Sequence, residues 1–290
     1  MKLKQVIKRA ANYILHGVPV NNISANIVRL NRSNLLEGRT AIITGGTSGI
    51  GYEIAKSFLM AGANVIITGR NNSRVQMACD KLQAETNRPS IRGIELNNIE
   101  VDCFADKINT AVSFWGKIDI LVNNAGVLTQ NTVGNENSTK YDEVLDTNLK
   151  GPFFLCQAFG HYMINNKIKG NILNIGSSSC FRPASTAYTL TKWGIRGLTL
   201  GLARMLAPHG ITVNGLAPGV TLTGMVANAE NKTNIVFPYT PLGRYIMPEE
   251  IANMAVVLVS DMGRAVMGDI VCMTGGSGIL TYEDMNYNFD

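Results

Sequence analysis

Thr44-Gly-Gly-Thr-Ser-Gly-Ile-Gly51 stands between the apolar run Thr40-Ala-Ile-Ile43 and Tyr52-Glu-Ile-Ala-Lys-Ser-Phe-Leu-Met60, whose apolar residues recur at helical spacing. A buried strand, a glycine-rich turn and a helix in that order form the context of a dinucleotide-binding fingerprint. Gly45 permits the tight turn, Gly49 lets the backbone approach a pyrophosphate, and Gly51 lets helix and strand pack closely. Thr47, Ser48 and Ile50 belong to the helix entrance, where free N–H groups and the positive end of the helix dipole meet an anion. A lone glycine triplet is an ordinary turn. This one carries its whole unit.

Working outward, strands are expected near 40–44, 64–68, 91–95, 119–123, 171–175, 211–216 and 269–273. Helical periodicity falls at about 50–61, 72–86, 99–115, 139–165, 187–207 and 248–259. Nearly continuous apolar strands separated by helices predict an α/β fold: a parallel sheet covered on both faces. No internal repeat or low-complexity tract interrupts residues 38–290.

Tyr188 and Lys192 lie four apart in Ala187-Tyr-Thr-Leu-Thr-Lys192, and so share one face of the helix expected there. An ammonium beside a phenol favours the ionised phenol. Ser177, Ser178 and Ser179 close the strand upstream, and a hydroxyl there would hold a carbonyl oxygen for protonation by the tyrosine. Taken alone, a Tyr-x-x-x-Lys pair is most often an idle surface pair. Behind a phosphate-binding turn it reads as chemistry.

Thr44-Gly-x-x-x-Gly-Ile-Gly51, Asn123-Asn-Ala-Gly126, Asn148, the Ser177 region, Tyr188-x-x-x-Lys192 and Pro218-Gly219 occur in the order seen in short-chain dehydrogenases/reductases. Pro241-Leu-Gly-Arg244, Pro248-Glu-Glu-Ile251 and Gly275-Gly276 resemble that family's ending. The resemblance covers roughly residues 38 to 290, and its overall look is that of bacterial 3-oxoacyl-carrier-protein reductases. It implies a doubly wound Rossmann-type sheet in a single domain and a small-molecule carbonyl or alcohol substrate. It also implies four catalytic groups. Tyr188 is the general acid/base, Lys192 assists it and bonds the ribose, Ser177 (with Ser178 as fallback) donates to the substrate oxygen, and Asn148 holds a water that returns protons to Lys192. Ser177 is slightly closer to Tyr188 than is usual.

The same resemblance sets Asn124 along the adenosine ribose and counts Ala125 and Gly126 among the cofactor-binding residues, with Gly126 letting the backbone come close. It assigns Pro218, Gly219 and the segment from Thr221 through Thr223 to the nicotinamide carboxamide. Glu95 takes the place of an aspartate near the adenine. The second strand ends Val65-Ile-Ile-Thr-Gly-Arg70, with Gly69 where an acid would select NAD, so Arg70 points to NADP over NAD. Ser48 replaces a second basic residue frequent in NADP users. Leu222–Tyr239 should form the substrate lid, with Phe181, Arg182 and Leu128–Val133 as other walls. Where carrier-protein reductases place arginines for their acidic partner, Ile168 and His209 stand here. A sugar, polyol or other secondary-alcohol dehydrogenase is therefore the alternative, and a catalytically silent dinucleotide sensor the remote one.

The helices at 139–165 and 187–207 match those through which relatives pair. Phe153, Phe154, Phe159, Leu198 and Leu202 look surplus to one subunit, which predicts a homodimer or symmetric homotetramer. The net charge of +5 over 290 residues resides in residues 1–37, where Lys2, Lys4, Lys8, Arg9, Arg29 and Arg32 face only Glu37. A basic leader, not a nucleic-acid groove, explains the charge, so no nucleic acid is expected. Leu3, Val6, Ile7, Ala10, Ala11, Ile14 and Leu15 predict an amphipathic helix over 2–16. It packs on protein in the preferred reading and contacts a membrane surface in the other. Five scattered cysteines without a C-x-x-C pair suit the reducing cytoplasm. Three distant histidines give no metal motif.

Overall fold

Strand β1 (Thr40–Ile43) is buried along its whole length. Its side chains alternate between two cores, Ala41 and Ile43 on one face and Ile42 on the other. The computed structural model describes residues 34–129, 131–223, 237 and 239–278. Beside β1 lie β2 (Asn64–Gly69), β3 (Ile91–Glu95), β4 (Ile120–Asn123), β5 (Asn171–Ile175), β6 (Thr212–Pro218) and β7 (Ile270–Met273). All pairings are parallel, in the order β3-β2-β1-β4-β5-β6-β7. The order reverses between β1 and β4. At that switch point a crevice opens beyond the strands' carboxyl ends.

The helices are α1 (Gly49–Met60), α2 (Asn72–Thr86), α3 (Phe104–Trp115), α4 (Ser138–Leu145), α5 (Gly151–Asn165), α6 (Ala187–Leu206) and α7 (Pro248–Val259). Ile54, Phe58 and Leu59 of α1 pack with Ile251, Ala255 and Val259 of α7 over Ile43, Val65 and Ile67. Phe104 and Ile108 of α3, Leu155 and Phe159 of α5, and Ala203 and Leu206 of α6 cover Ile42, Ile66 and Leu121 on the opposite face. This is the expected doubly wound Rossmann-type sheet.

Two helices differ from the sequence expectation. The helix expected from residue 99 starts at Phe104, after a turn closed by Glu100 N–H to Asn97 O and a 3₁₀ segment at Val101–Cys103. The long helix over 139–165 is split by a π-turn at Asp146–Lys150, which carries Asn148. The turn ties Asn148 to Val127, a contact distant in sequence that a local periodicity reading does not report. Phe159, expected as surplus, is fully buried in its own subunit, whereas Phe153 and Phe154 are exposed.

Leu36 is also fully buried, and its N–H donates to Ala61 O, so the last residues assigned to the leader pack on this core. The leader helix over 2–16 and most of the lid at 222–239 lie outside the described residues. No helix of the described residues is long and apolar enough to cross a membrane.

Candidate active site

The glycine-rich turn leaves β1 with Gly45 at φ +65° and enters α1 with Gly49 at φ +58°, conformations that favour glycine. A Cβ on Gly45 would lie 2.9 Å from Ala125 Cα, and one on Gly51 only 2.3 Å from Asn124 Nδ2. The turn therefore presses directly on the loop after β4. Asn124 Nδ2 donates to Thr44 O (3.0 Å) and Gly45 O (3.1 Å), while the Asn124 and Ala125 N–H groups donate to Thr44 Oγ1. Ser48, the N-cap of α1, makes no capping bond, and the first turn holds no acid. The helix entrance thus keeps its N–H groups and dipole for an external anion.

A cleft of about 820 Å³ opens here. Gly45, Thr47, Ser48, Gly49 and Ile50 form its floor, and Asn124, Ala125 and Gly126 one wall. Pro218, Gly219, Thr221 and Thr223 form the far side, with Thr223 Cγ2 within 3.4 Å of where a Gly49 Cβ would sit. Ser177, Tyr188 and Lys192 line the same space.

Tyr188 and Lys192 come from the first turns of α6, which Thr186 caps by accepting from Thr189 N–H. Lys192 is buried, its Nζ 5.5 Å from the Tyr188 ring centroid and donating to Ile175 O at 2.8 Å. The Tyr188 hydroxyl has no hydrogen-bond partner among the described residues and borders the cleft. Ser177 Oγ accepts from Ser179 N–H at 3.1 Å, which orients it and leaves its hydrogen to donate.

Asn148 is buried behind the cleft wall. Its Oδ1 accepts from Val127 N–H and its Nδ2 donates to Val127 O, both at 2.8 Å, with a longer bond to Thr191 Oγ1. The side-chain amide thus anchors the loop after β4 to the π-turn. Gly51 likewise lies behind the wall. Glu95 is exposed at the end of β3 and does not line the cleft, whereas Leu96, Asn97 and Asn98 do.

At the far end Arg70 and Arg74 line the cleft, both exposed and without a carboxylate partner among the described residues. Sequence reasoning named Arg70 and missed Arg74. The signal was available, because Asn71 caps α2 and accepts from Arg74 N–H, which brings the first-turn Arg74 beside the end of β2. Asn98, whose Nδ2 is buried without a partner, was also missed.

The donor set fits a nicotinamide dinucleotide: a cradle that a Cβ would fill, uncapped helix N–H groups, and cations at the far end of the cleft. Among the described residues no cluster of three His, Cys, Asp or Glu lies together.

Residues 39–234 match the short chain dehydrogenase family. The 3-oxoacyl-[acyl-carrier-protein] reductase of Aquifex aeolicus is 33% identical over 83% of this chain and 98% of its own length. The gluconate 5-dehydrogenase of Gluconobacter oxydans is also 33% identical, over 83% of this chain and 95% of its own. A crystal structure of an actinorhodin polyketide ketoreductase variant with NADPH superposes with a TM-score of 0.77 at 28% identity, covering 83% of this chain and 97% of that one. The turn, the acid/base pair and these likenesses converge: the chain belongs to the short-chain dehydrogenase/reductase family and is an oxidoreductase that uses a nicotinamide dinucleotide on secondary alcohols or ketones.

Proposed function

We propose that the chain is an NADP(H)-dependent enzyme interconverting a ketone and a secondary alcohol. One observation carries this reading: the Tyr188 hydroxyl, unpartnered among the described residues, shares a cleft with Ser177, Lys192 and the glycine-rich helix entrance. The bound cofactor supplies or accepts the hydride. In the reducing direction Ser177 donates a hydrogen bond to the carbonyl oxygen, and Tyr188 passes its phenolic proton to that oxygen as the carbon gains hydride. Lys192, held by Ile175 O, places its positive charge near the phenolate left behind. In oxidation the proton returns from the alcohol to Tyr188. Asn148 positions the loop after β4, and its amide is already occupied by Val127 and Thr191. A proton-return water would meet it only through oxygen capacity left over. Such acid/base help is worth about 10²–10⁴-fold in rate.

Arg70 and Arg74 support the preference for NADP: two guanidinium groups suit a 2′-phosphate, and Gly69 brings no carboxylate to repel it. Asn124 to Gly126, Pro218, Gly219, Thr221 and Thr223 take the ribose and carboxamide. Residues 38–290 form the catalytic domain in this reading, and it acts in the cytoplasm, which suits five unpaired cysteines. The exposed Phe153, Phe154 and Trp193 on α5 and α6 support a homodimer or homotetramer.

The test is cofactor consumption over a panel of carbonyls and alcohols with NADPH and NADH, for wild type and Tyr188→Phe. The variant should bind cofactor as wild type does and lose turnover by orders of magnitude. Near-wild-type turnover would refute the assignment. A silent wild type that still binds NADPH would favour a dinucleotide sensor instead.

A further inference from the structure

The charged residues that line the cleft are all cations. Arg70, Arg74, Arg182 and Lys192 border it, and no described aspartate or glutamate does. Two of them serve the adenosine end and Lys192 serves the acid/base pair, which leaves Arg182 without a task. Arg182 follows the short helix Ser178–Phe181 and stands in the same wall as Ser177. Its Nη2 donates to Ser178 Oγ at 2.6 Å, and its Nε–H is buried without a partner. Among the described residues no carboxylate pairs with it.

The position is rigidly held. Trp193 Nε1 donates to Arg182 O at 2.7 Å, and the Arg196 guanidinium lies 4.6 Å from the Phe181 ring centroid. A guanidinium drawn partly out of water, with no acid beside it among the described residues, favours an anionic ligand. Ser178, buried and already accepting from that guanidinium, keeps its own hydroxyl hydrogen to donate. An arginine fork with an adjoining hydroxyl donor suits an anion with two oxygens.

We propose that Arg182 and Ser178 form a carboxylate-binding subsite in the wall that carries Ser177, so that the substrate is an oxo acid or its hydroxy-acid counterpart. The inference rests on the oxidoreductase reading and adds the substrate class.

The experiment compares aldonic acids with alditols of equal carbon number, with sugar phosphates as a third arm, for wild type, Arg182→Met, Arg182→Lys and Ser178→Ala. The acid-to-alditol ratio of kcat/KM should fall about 10²-fold in Arg182→Met, mainly through KM, and less in Arg182→Lys. Calorimetric titration of aldonate into the NADP⁺-loaded protein reads the same subsite without turnover. Aldonate binding that depends on Arg182 in a protein lacking turnover would sink the oxidoreductase reading and keep the subsite. An unchanged acid-to-alditol ratio, aldonate binding indifferent to Arg182→Met, Arg182→Lys and Ser178→Ala, or a preference for sugar phosphates over acids would overturn the subsite itself.

Discussion

Replacing Gly51 by alanine tests whether the glycine-rich turn is held rigid by the loop after β4. Gly51 sits in the first turn of α1, so alanine suits its backbone and gains at most about 1 kcal/mol of helix propensity. The added Cβ would lie 2.3 Å from Asn124 Nδ2 and 2.5 Å from Gly45 O. Ordinary contact needs about 1 Å more, and the amide cannot swing away without leaving Thr44 O and Gly45 O. Two lost hydrogen bonds cost about 1 kcal/mol each, and overpacking adds about 1–3 kcal/mol. After the propensity gain, a net loss of about 2–4 kcal/mol remains, or roughly 5–10 °C in Tm for a domain of this size. Cofactor affinity should fall as well, because Gly45 and the helix entrance move together. Thermal unfolding with and without NADPH, and fluorescence titration of the cofactor, measure both. A Tm within about 1 °C of wild type with unchanged affinity would refute the reasoning.

Arg70→Ala and Arg74→Ala should each weaken NADPH about five- to tenfold and leave NADH nearly unchanged, with effects that multiply in the double variant; equal losses for both cofactors in a titration would contradict the assignment. Arg244 holds the Glu250 carboxylate down to about 2, with Met247 N–H adding a further bond. Because that folded value lies below the unfolded one, the stabilisation is complete above about pH 4.5 and is lost as pH falls through about 2. Glu250→Gln should therefore lower Tm at neutral pH, the gap closing with acid in a series of melts. Burial pushes the Cys156 thiol up to about 12 and Cys79 to about 11, so these and buried Cys180 should resist an aromatic disulfide reagent until the protein unfolds. Peptide mapping after brief labelling checks this, and early modification of Cys156 would show a core that opens far more readily than its packing implies.

Much of the sheet is legible in the sequence because the central strands β1, β4, β5 and β6 are short runs buried on both faces. Val65–Ile67 and Ile120–Val122 leave no room for a competing reading. The glycine-rich turn and the Tyr188–Lys192 spacing are equally plain, since their geometry is local. What is not legible depends on contacts far apart in sequence. The π-turn around Asn148 joins Val127 across 21 residues, and no local pattern marks it. Arg74 escaped notice because motif reasoning stops at the strand end, whereas the cap at Asn71 brings the next turn of helix to the cleft. Phe159 looks as apolar as Phe153 and Phe154, yet only the turn of α5 decides which of them faces α3 and the sheet.

The substrate is a separate matter from the fold and the acid/base group. Relatives equally close in sequence carry names as different as an acyl-carrier-protein reductase and a gluconate dehydrogenase. Specificity must therefore reside in walls that vary while the switch-point crevice stays constant. Two positions weigh against an acidic carrier protein here. Ile168 is turned into the apolar layer formed by α3 and α5, so it offers no surface cation, and His209 stands at the exposed end of a 3₁₀ turn after α6. A large acidic partner needs basic groups outside the cleft to steer it. Exposed cations such as Lys167, Lys169 and Arg204 lie outside the cleft, and the proposed carboxylate subsite rests instead on Arg182, which lines the cleft beside Ser177.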